Sequence, residues 1–346
     1  MDAQIEPFSV EVDPPLETAR GLIHERDGFL STVSQEGVRG VGEATPLSGW
    51  TESYHECENA LSKATRLAGE LDWGIALSGL AETNAPAARH GLSLGFADAR
   101  ARAREEPLYQ LLADHATQIS QVPVNATLGA ECSPESVAEQ AQDAVERGIQ
   151  AVKLKVGTRA VEADIERVRA VREAVGDAEL RVDANGAWSS SEAGQAVDAC
   201  VALGVSYIEQ PLPSGELAET AALRGRGVDI ALDESLAVYD VETVFEMDAA
   251  DVFVLKPMVL GGPDRTAEIA KQCQRAGIDP VVSTTVDAVV ARVGAVHVAA
   301  SIPDVRPCGL ATGDRIVRDL APDPTSITDG AITVPQTPGL GFGDFL

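Results

Sequence analysis

The chain has 346 residues, 45% of them hydrophobic, and a formal net charge of −27 at pH 7. This length allows a large core in one or two domains. Because no window of about 18 apolar residues occurs, we predict no membrane span. The acid excess argues against a nucleic-acid binder as the default, because phosphate would be repelled. The acidic N-terminus lacks a basic-then-apolar signal pattern, so we expect a cytoplasmic protein. Five scattered cysteines argue against a disulfide framework or a CxxC metal site.

The acidic residues are spread along the whole chain, which is typical of a solvated surface. Because self-repulsion on this scale destabilises a fold at low salt, we hypothesise a halophilic protein of a salt-rich cytoplasm. Lysine is rare, at five positions against 22 arginines. Three of those five, Lys153, Lys155 and Lys256, lie in short apolar segments, which favours a chemical role for them.

The first part of the chain predicts an α+β domain. Alternating runs in residues 1–50 indicate antiparallel strands, with Asp27-Gly28 and Glu36-Gly37 as turn signals. Residues 52–72 and 86–114 have helical spacing and predict two helices.

The second predicted helix contains Gly91-Leu92-Ser93-Leu94-Gly95, a formal match to the nucleophile-elbow pattern. That motif requires a strand–turn–helix context. Because the surroundings are helical, we interpret the match as a coincidence and attribute the glycines to close helix packing.

A regular strand–helix rhythm follows. Five apolar segments between Ala151 and Met258 each end in one or two charged residues, 23 to 28 residues apart, with helical stretches between them. About 30 residues or slightly fewer make one βα unit, so the pattern predicts a (β/α)8-type (modified TIM) barrel behind an α+β N-terminal capping domain. The predicted domains are a capping domain at 1–120 and a barrel at 121–314. Within the barrel, the first strand is predicted at 121–129, the seventh at 278–288 and a short eighth at 305–313. The tail at 315–346 is expected to join the capping domain by returning to the N-terminal sheet.

The charged residues at the strand ends are expected to face one mouth. Side chains alternate across a strand, so Lys153 and Lys155 share the face opposite Leu154. One alternative is an antiparallel sheet with these charges in solvent, which the repeated helical connections disfavour. Another is buried ion pairs inside the barrel, which are costly without a function.

Three of the charges are carboxylates on successive strands: Asp183, Glu209 and Asp233. An oxygen-only ligand set without nearby His or Cys suits a hard divalent cation, usually Mg²⁺, with Mn²⁺ as the alternative. Near a dication and another ammonium group the pKa of a lysine falls, which makes a neutral amine available for proton transfer. The sequence therefore predicts a metal-assisted proton-transfer site.

These residues resemble a known family, the enolase superfamily in its muconate-lactonising subgroup, whose members pair Mg²⁺ with a lysine or histidine base. The resemblance covers nearly the whole chain. Within the subgroup, GEATPLSGWTES, RVDANGAW, VLKPMVLGG and CGLATG are most similar to o-succinylbenzoate synthases. The motifs that carry the superfamily resemblance are the KxK of Lys153 and Lys155, Asp183 in DAN, Glu209 in IEQP, Asp233 in DES and Lys256 in LKP.

The resemblance implies a hydro-lyase of menaquinone biosynthesis. The implied reaction is the dehydration of 2-succinyl-6-hydroxy-2,4-cyclohexadiene-1-carboxylate to 2-succinylbenzoate through a metal-stabilised enediolate. It implies that Lys155 removes the proton next to the substrate carboxylate. Lys256 would be a cation over the ring and a second acid or base in a racemase. The implied Mg²⁺ ligands are Asp183, Glu209 and Asp233.

The resemblance also implies residues that bind the substrate, a small-molecule carboxylate. Lys153 would orient Lys155 or that carboxylate, and the segment Pro46 to Thr51 would close as a lid. Trp50 in this lid packs either on the substrate or in the capping-domain core. The other implied contacts are Asn185 and Glu234 beside the metal ligands or in a purely structural role, Ser283 and Thr284 on the succinyl carboxylate, and Gly309 through backbone amides.

Two other functions stay open. An N-acylamino-acid racemase or dipeptide epimerase would use the same lysines and metal, although the Asp-x-Asp typical of dipeptide epimerases near the eighth strand is absent from PCGLATGDR. A barrel without catalysis, serving as a binding protein, is the alternative of another class. Gln210 follows Glu209 where an acid is common in the family, and the sequence leaves a homo-oligomer open.

The charge balance generates a first prediction. The thermal unfolding temperature should rise as KCl is increased from about 0.1 M to about 2 M, because salt screens the repulsion among surface carboxylates. Circular dichroism at a fixed heating rate measures it. A level unfolding temperature over this range would rule out the halophilic interpretation.

Overall fold

The computed structural model describes residues 2–18, 21–70, 73–82, 84–114 and 117–343. The N-terminal part is an antiparallel three-stranded sheet with four helices, which is the predicted α+β capping domain. The helix at Trp73–Glu82 was not predicted, and residues 71–72 of the predicted first helix lie outside the described residues. The elements are β1 (Asp2–Thr18), β2 (Gly21–Gln35), β3 (Val38–Ala44), α1 (Tyr54–Glu70), α2 (Trp73–Glu82), α3 (Pro86–Ala103) and α4 (Leu108–Leu112).

One of the two turn signals is wrong. Glu36 and Gly37 connect β2 to β3, both at positive φ. Asp27 and Gly28, however, lie inside β2, where Gly28 pairs with Phe8 of β1. A Cβ on Gly28 would lie 2.6 Å from the Phe8 ring, so this glycine makes room for an aromatic side chain on the neighbouring strand.

The glycines of the nucleophile-elbow match have the predicted packing role. They lie in α3, whose backbone at Gly91 and Gly95 approaches β3 so closely that a Cβ on Gly42 would overlap both. Ser93 donates a hydrogen bond to Asp264 at 2.6 Å, which is a contact between the capping helix and the barrel.

The second part is a curled parallel sheet surrounded by helices, as predicted. Seven strands are hydrogen-bonded in the order β11-β10-β9-β8-β7-β6-β5. The eighth position is a short segment that bridges Val124 through Cys308 and Ser283 through Gly309. The strands are β5 (Asn125–Leu128), β6 (Ala151–Lys155), β7 (Glu179–Asp183), β8 (Tyr207–Glu209), β9 (Asp229–Leu232), β10 (Val252–Leu255) and β11 (Asp279–Val282).

Alternation along the strands separates two apolar layers. Leu154 and Val182 pack outward against the helices, whereas Tyr207 and Val254 belong to a small cluster inside the barrel. Within the described residues no helix is long and apolar enough to cross a membrane. The helices are α5 (Pro134–Glu146), α6 (Val161–Val175), α7 (Ser190–Ala202), α8 (Leu217–Ala221), α9 (Ser235–Val238), α10 (Val241–Glu246), α11 (Pro257–Leu260), α12 (Pro263–Ala276) and α13 (Val289–Ala300), followed by a 3₁₀ turn at Gly313–Arg315.

Over its described residues, 315–343, the tail does not form a strand of the N-terminal sheet. Its strands β12 (Ile327–Thr328) and β13 (Ala331–Thr333) pair with β4 (Gln121–Pro123), the first half of the segment predicted as one barrel strand. A single bridge from Ile316 to Val12 reaches β1. The alternation of apolar and polar residues continues across Val124, so it does not show that β4 and β5 belong to different sheets. Residues 344–346 of the tail lie outside the described residues.

The tail docks on a buried histidine. His297 of α13 lies between the Tyr109 amide, 3.3 Å from Nδ1, and the Leu340 carbonyl, 3.3 Å from Nε2. Burial lowers the pKa of His297 to about 4, although the Leu340 carbonyl raises it. The folded protein therefore binds fewer protons here than the unfolded chain between about pH 6.5 and pH 4.

This histidine should contribute to acid sensitivity. The stabilisation is complete above about pH 6.5 and is lost as the pH falls towards 4, by at most about 1.4 kcal/mol per pH unit. His297→Gln, which retains a donor and an acceptor, should flatten the dependence of the unfolding free energy on pH in that window. Urea unfolding at several pH values measures the slope. His55→Gln, at a surface histidine, is the control, and equal slopes in wild type and His297→Gln would disprove the assignment.

Candidate active site

Strand ends of the barrel bring charged side chains to one mouth. The parallel register pairs Lys155 with Asp183 and Asp183 with Glu209, so these three residues lie at one level. Asp233 and Lys256 come directly after β9 and β10. All five lie at the C-terminal ends of the strands, where (β/α)8 barrels carry their active sites.

Two lysines of β6 contact two of the carboxylates. Lys153 Nζ lies 2.8 Å from Glu209 Oε1 and 3.1 Å from Asp183 Oδ2. Lys155 Nζ lies 3.2 Å from the same Asp183 oxygen. Asp183 and Glu209 are each 1% exposed, so the ammonium groups replace water as partners of two buried charges.

The third lysine lies between a carboxylate and an aromatic ring. Lys256 Nζ is 2.6 Å from Asp233 Oδ2 and 3.6 Å from the centre of the Trp50 ring. A cation over an indole face is favourable at this distance. Trp50 belongs to the segment predicted to be a lid, so this segment contacts the mouth of the barrel at Lys256.

Burial raises the pKa of each carboxyl group, and its neighbours decide the outcome. Burial and the charge of Asp183 raise the pKa of Glu209 to about 7. Burial raises the pKa of Asp233 to about 6 despite its ammonium partner. For Asp183, the ammonium groups of Lys153 and Lys155 outweigh burial and hold the pKa well below its usual range. Such divergence among clustered acids is typical of functional sites.

Burial and the neighbouring carboxylates act on the pKa of Lys153 in opposite directions. Burial lowers the pKa of this lysine, but the charges of Asp183 and Glu209 raise it well above its ordinary value. The two carboxylates therefore favour the charged form of Lys153.

The carboxylates do not form a ready coordination shell. In the described part of the chain, no three His, Cys, Asp or Glu side chains are gathered closely enough to hold a metal ion. Ammonium groups lie against the acids instead. Buried oxygens without a well-directed hydrogen bond remain on Asp183 (Oδ2), Asp233 (Oδ1) and Glu234 (Oε2), although the first lies close to two ammonium groups. These oxygens fit a hard divalent cation that displaces the ammonium groups.

Asn185 connects Lys155 to the carboxylates of Asp183 and Glu234. Its Oδ1 accepts a hydrogen bond from Lys155 Nζ at 2.7 Å, and its Nδ2 donates to Glu234 Oε1 at 2.9 Å. The backbone N–H of Asn185 donates to Asp183 Oδ1 at 3.0 Å. The residue has a φ of 46°, a conformation in which asparagine is enriched. In this arrangement Asn185 orients Lys155, and Glu234 in turn orients Asn185.

Gln210 has a role that sequence reasoning treated only as a departure from the family. Its Oε1 accepts hydrogen bonds from the amides of Asp233 and Ser235 at 3.2 and 3.1 Å. Its Nε2 donates to the Leu212 carbonyl and to Ser235 Oγ, each at 2.9 Å. A carboxylate could not donate these two bonds. The amide therefore fixes the turn that presents Asp233.

Of the substrate-binding residues predicted at the seventh and eighth strands, only some have groups free to bind a substrate. Ser283 and Thr284 follow β11, and Thr284 Oγ1 lies 3.1 Å from Thr312 Oγ1. Gly309 cannot offer its amide as predicted, because that group donates to the Val282 carbonyl at 2.9 Å and closes the barrel. A Cβ on Gly309 would lie 2.6 Å from Ser283 Oγ, so the glycine makes space for that serine.

Comparison with known proteins supports the family. The family model described as Enolase C-terminal domain-like matches residues 136–343. The chain is 40% identical over 221 residues to an o-succinylbenzoate synthase of Mycolicibacterium smegmatis. The aligned stretch covers 62% of this chain and 65% of that protein. It is 29% identical over 286 residues to an N-succinyl-L-Arg/Lys racemase of Bacillus cereus, covering 79% and 76% of the two chains.

A solved structure agrees over the whole length. The dipeptide epimerase of Enterococcus faecalis, complexed with Mg and the dipeptide L-Leu-L-Tyr, superposes with a TM-score of 0.85 at 26% identity and covers 98% of each chain. Lyases and isomerases are thus both among the relatives. The family model spans more than half of the chain, and the chain therefore belongs to the enolase superfamily, in the Enolase C-terminal domain-like family.

Proposed function

We propose that this enzyme dehydrates 2-succinyl-6-hydroxy-2,4-cyclohexadiene-1-carboxylate to 2-succinylbenzoate. The C–H bond next to the ring carboxylate breaks, the neighbouring C–OH bond breaks, and a carbon–carbon double bond forms between them. The proton and the hydroxide leave as water, and the ring becomes aromatic. In a cell the reaction would belong to menaquinone biosynthesis.

Lys155 is the proposed base. Its side chain is the most exposed of the three lysines, at 36% against 13% for Lys153 and 12% for Lys256. Asn185 accepts one of its hydrogen bonds and aims it into the mouth. After it has taken the ring proton, Lys155 holds the proton that the departing hydroxide needs.

The other two lysines act as fixed positive charges in this proposal. Removal of the proton leaves an enediolate, and Lys153 and Lys256 would stabilise its negative charge from two walls of the mouth. Mg²⁺, when bound to Asp183, Glu209 and Asp233, would supply a Lewis acid for the substrate carboxylate, as the three-carboxylate set suits a hard cation.

One observation carries the choice of reaction. The region of the eighth strand, residues 307–315, contains a single carboxylate, Asp314, and so lacks the Asp-x-Asp pair that would bind the ammonium group of a dipeptide. The 40% identity to an o-succinylbenzoate synthase supports the same choice.

A racemase or epimerase is the second candidate. Lys155 on β6 and Lys256 after β10 have three strands between them in the sheet order and so lie on opposite walls. Two bases on opposite faces of a substrate carbon are what a 1,1-proton transfer requires. The similarity to the racemase and the epimerase favours this candidate as well.

The reaction is tested by loss of the diene absorbance in the presence of Mg²⁺. Wild type should turn the substrate over, and Lys155→Ala should lose roughly 10²- to 10⁴-fold in kcat. Lys155→Arg, which keeps the charge but cannot accept a proton, should be equally inactive. Lys271→Ala, at a lysine paired with Asp114 outside the mouth, is the control. No dehydration by folded wild type, together with exchange of the α-proton of N-succinyl amino acids in D₂O, would transfer the assignment to the racemase.

The metal site is tested separately by binding. Mg²⁺ should raise the unfolding temperature of wild type, and EDTA should reverse the rise, because a ligand at about 100 times its Kd stabilises by about 2.7 kcal/mol. Asp233→Asn should lose most of this rise. Asp251→Asn is the matched control, since Asp251 binds Arg224 just before β10, at the other end of the barrel. Equal rises in both variants would count against the assigned ligands.

A further inference from the structure

Two segments from different domains form walls of the mouth. One is the strap, residues 45–51 of the capping domain, which carries Trp50 over Lys256. The other is the seventh loop, residues 283–288 between β11 and α13, which carries Ser283 and Thr284. Ser283 is bridged to Gly309 at the edge of the barrel, and the rest of both segments lies outside the named strands. Side chains of β2 and β3 connect the two segments.

Glu43, at the end of β3, makes such a contact with the seventh loop. It is 0% exposed, and its Oε1 accepts a hydrogen bond from the Ala288 amide at 2.9 Å while its Oε2 accepts from the Ala291 amide at 2.8 Å. These amides belong to the first turn of α13, which has no intrahelical partner for them. A capping-domain carboxylate therefore caps a barrel helix.

The same carboxylate holds the strap. The hydroxyl of Thr45, the first residue of the strap, donates to Glu43 Oε1. Glu43 thus binds the strap and the start of α13 through one side chain.

Arg26 of β2 ties the same two segments together through their carbonyls. It is 2% exposed and donates to Thr45 O at 2.9 Å, to Pro46 O at 3.1 Å and to Val286 O at 3.3 Å. Val286 has a φ of 59°, which is an outlier for a β-branched residue. Such a conformation persists where surrounding contacts determine it.

Other charged groups complete the junction. Arg26 lies 3.7 Å from Asp287, and His90 Nδ1 is 2.7 Å from the Glu43 carbonyl. Burial, together with the charges of Asp287 and Asp319, raises the pKa of Glu43 to about 7, although the Thr45 hydroxyl and the Ala291 amide lower it. The junction is therefore a buried polar network with matched partners, which specifies one arrangement of the chain.

We propose that Glu43 is a positioning residue that fixes the distance between the strap and the seventh loop, and with it the part of the substrate pocket away from the reacting carbon. Glu43 does not contact the three lysines or the three carboxylates of the mouth. Its loss should therefore weaken substrate binding while leaving proton transfer by Lys155 almost unchanged. The kinetic part of this inference rests on the proposed dehydration; the structural part does not.

The test compares Glu43→Gln with Asp98→Asn. Asp98 is the matched control because it is 0% exposed and accepts from the Val41 and Leu340 amides at 2.9 and 2.8 Å, away from the mouth. Hydrogen–deuterium exchange should be faster in residues 45–51 and 283–291 together in Glu43→Gln, and unchanged there in Asp98→Asn. In the diene assay KM should rise roughly tenfold in Glu43→Gln with kcat within about twofold of wild type, whereas Asp98→Asn should leave both values unchanged.

The outcomes separate the two proposals. Exchange that is faster in one segment alone or in neither, or a kcat that falls as much as kcat/KM, overturns the positioning role. If wild type has no dehydration activity the proposed function fails, and the exchange comparison still decides the role of Glu43. Should Glu43→Gln not fold, Thr45→Val removes just the hydroxyl bond to Glu43 and must produce the same changes to a smaller extent; unchanged exchange and KM in that variant would also refute the proposal.

Discussion

The need to neutralise buried carboxylates governs the organisation of this barrel mouth. Asp183, Glu209 and Asp233 are almost without exposure, and isolated charges in such positions are very costly. Lysines on the flanking strands meet that need by direct contact with the acids. Because attraction in a water-poor site is strong, the same pairs fix the positions of the ammonium groups. The same lysines and carboxylates thus contribute to stability and, under the proposed function, to the chemistry. If a metal cation displaced an ammonium group, the cation would neutralise the carboxylates in its place.

Much of this could be predicted from the sequence, because the controlling features are local. Period-two alternation set the directions of Lys153 and Lys155, and the spacing of the strand ends brought Asp183 and Glu209 to one level. The helix at Val161–Val175 lies between two of these strands, as the strand–helix rhythm predicted. Each of these depends on residues that are close in the chain, so periodicity and spacing were sufficient.

The features that the sequence did not predict depend on distant partners. The amide of Gly309 is occupied by a carbonyl of a neighbouring strand, and Gly28 lies in a strand because an aromatic ring crosses it. Glu43 looks like one more acid in an acidic chain, and its two amide partners at the start of α13 are more than 240 residues away. Long-range pairing of this kind leaves no local pattern, since the same residue types would suit a turn or a solvated surface equally well.

The closing segment of the barrel has a wider consequence. It meets its neighbours through isolated bridges at Cys308 and Gly309, whereas the strands that carry the lysines and acids form a continuous ladder. Insertions and substitutions in the closing segment disturb few backbone bonds, so this wall can change shape while the charged wall stays intact. Under the proposed function, the charged wall would perform the reaction while the closing segment helps to select the molecule, and a barrel divided in this way can acquire a new substrate without new catalytic groups.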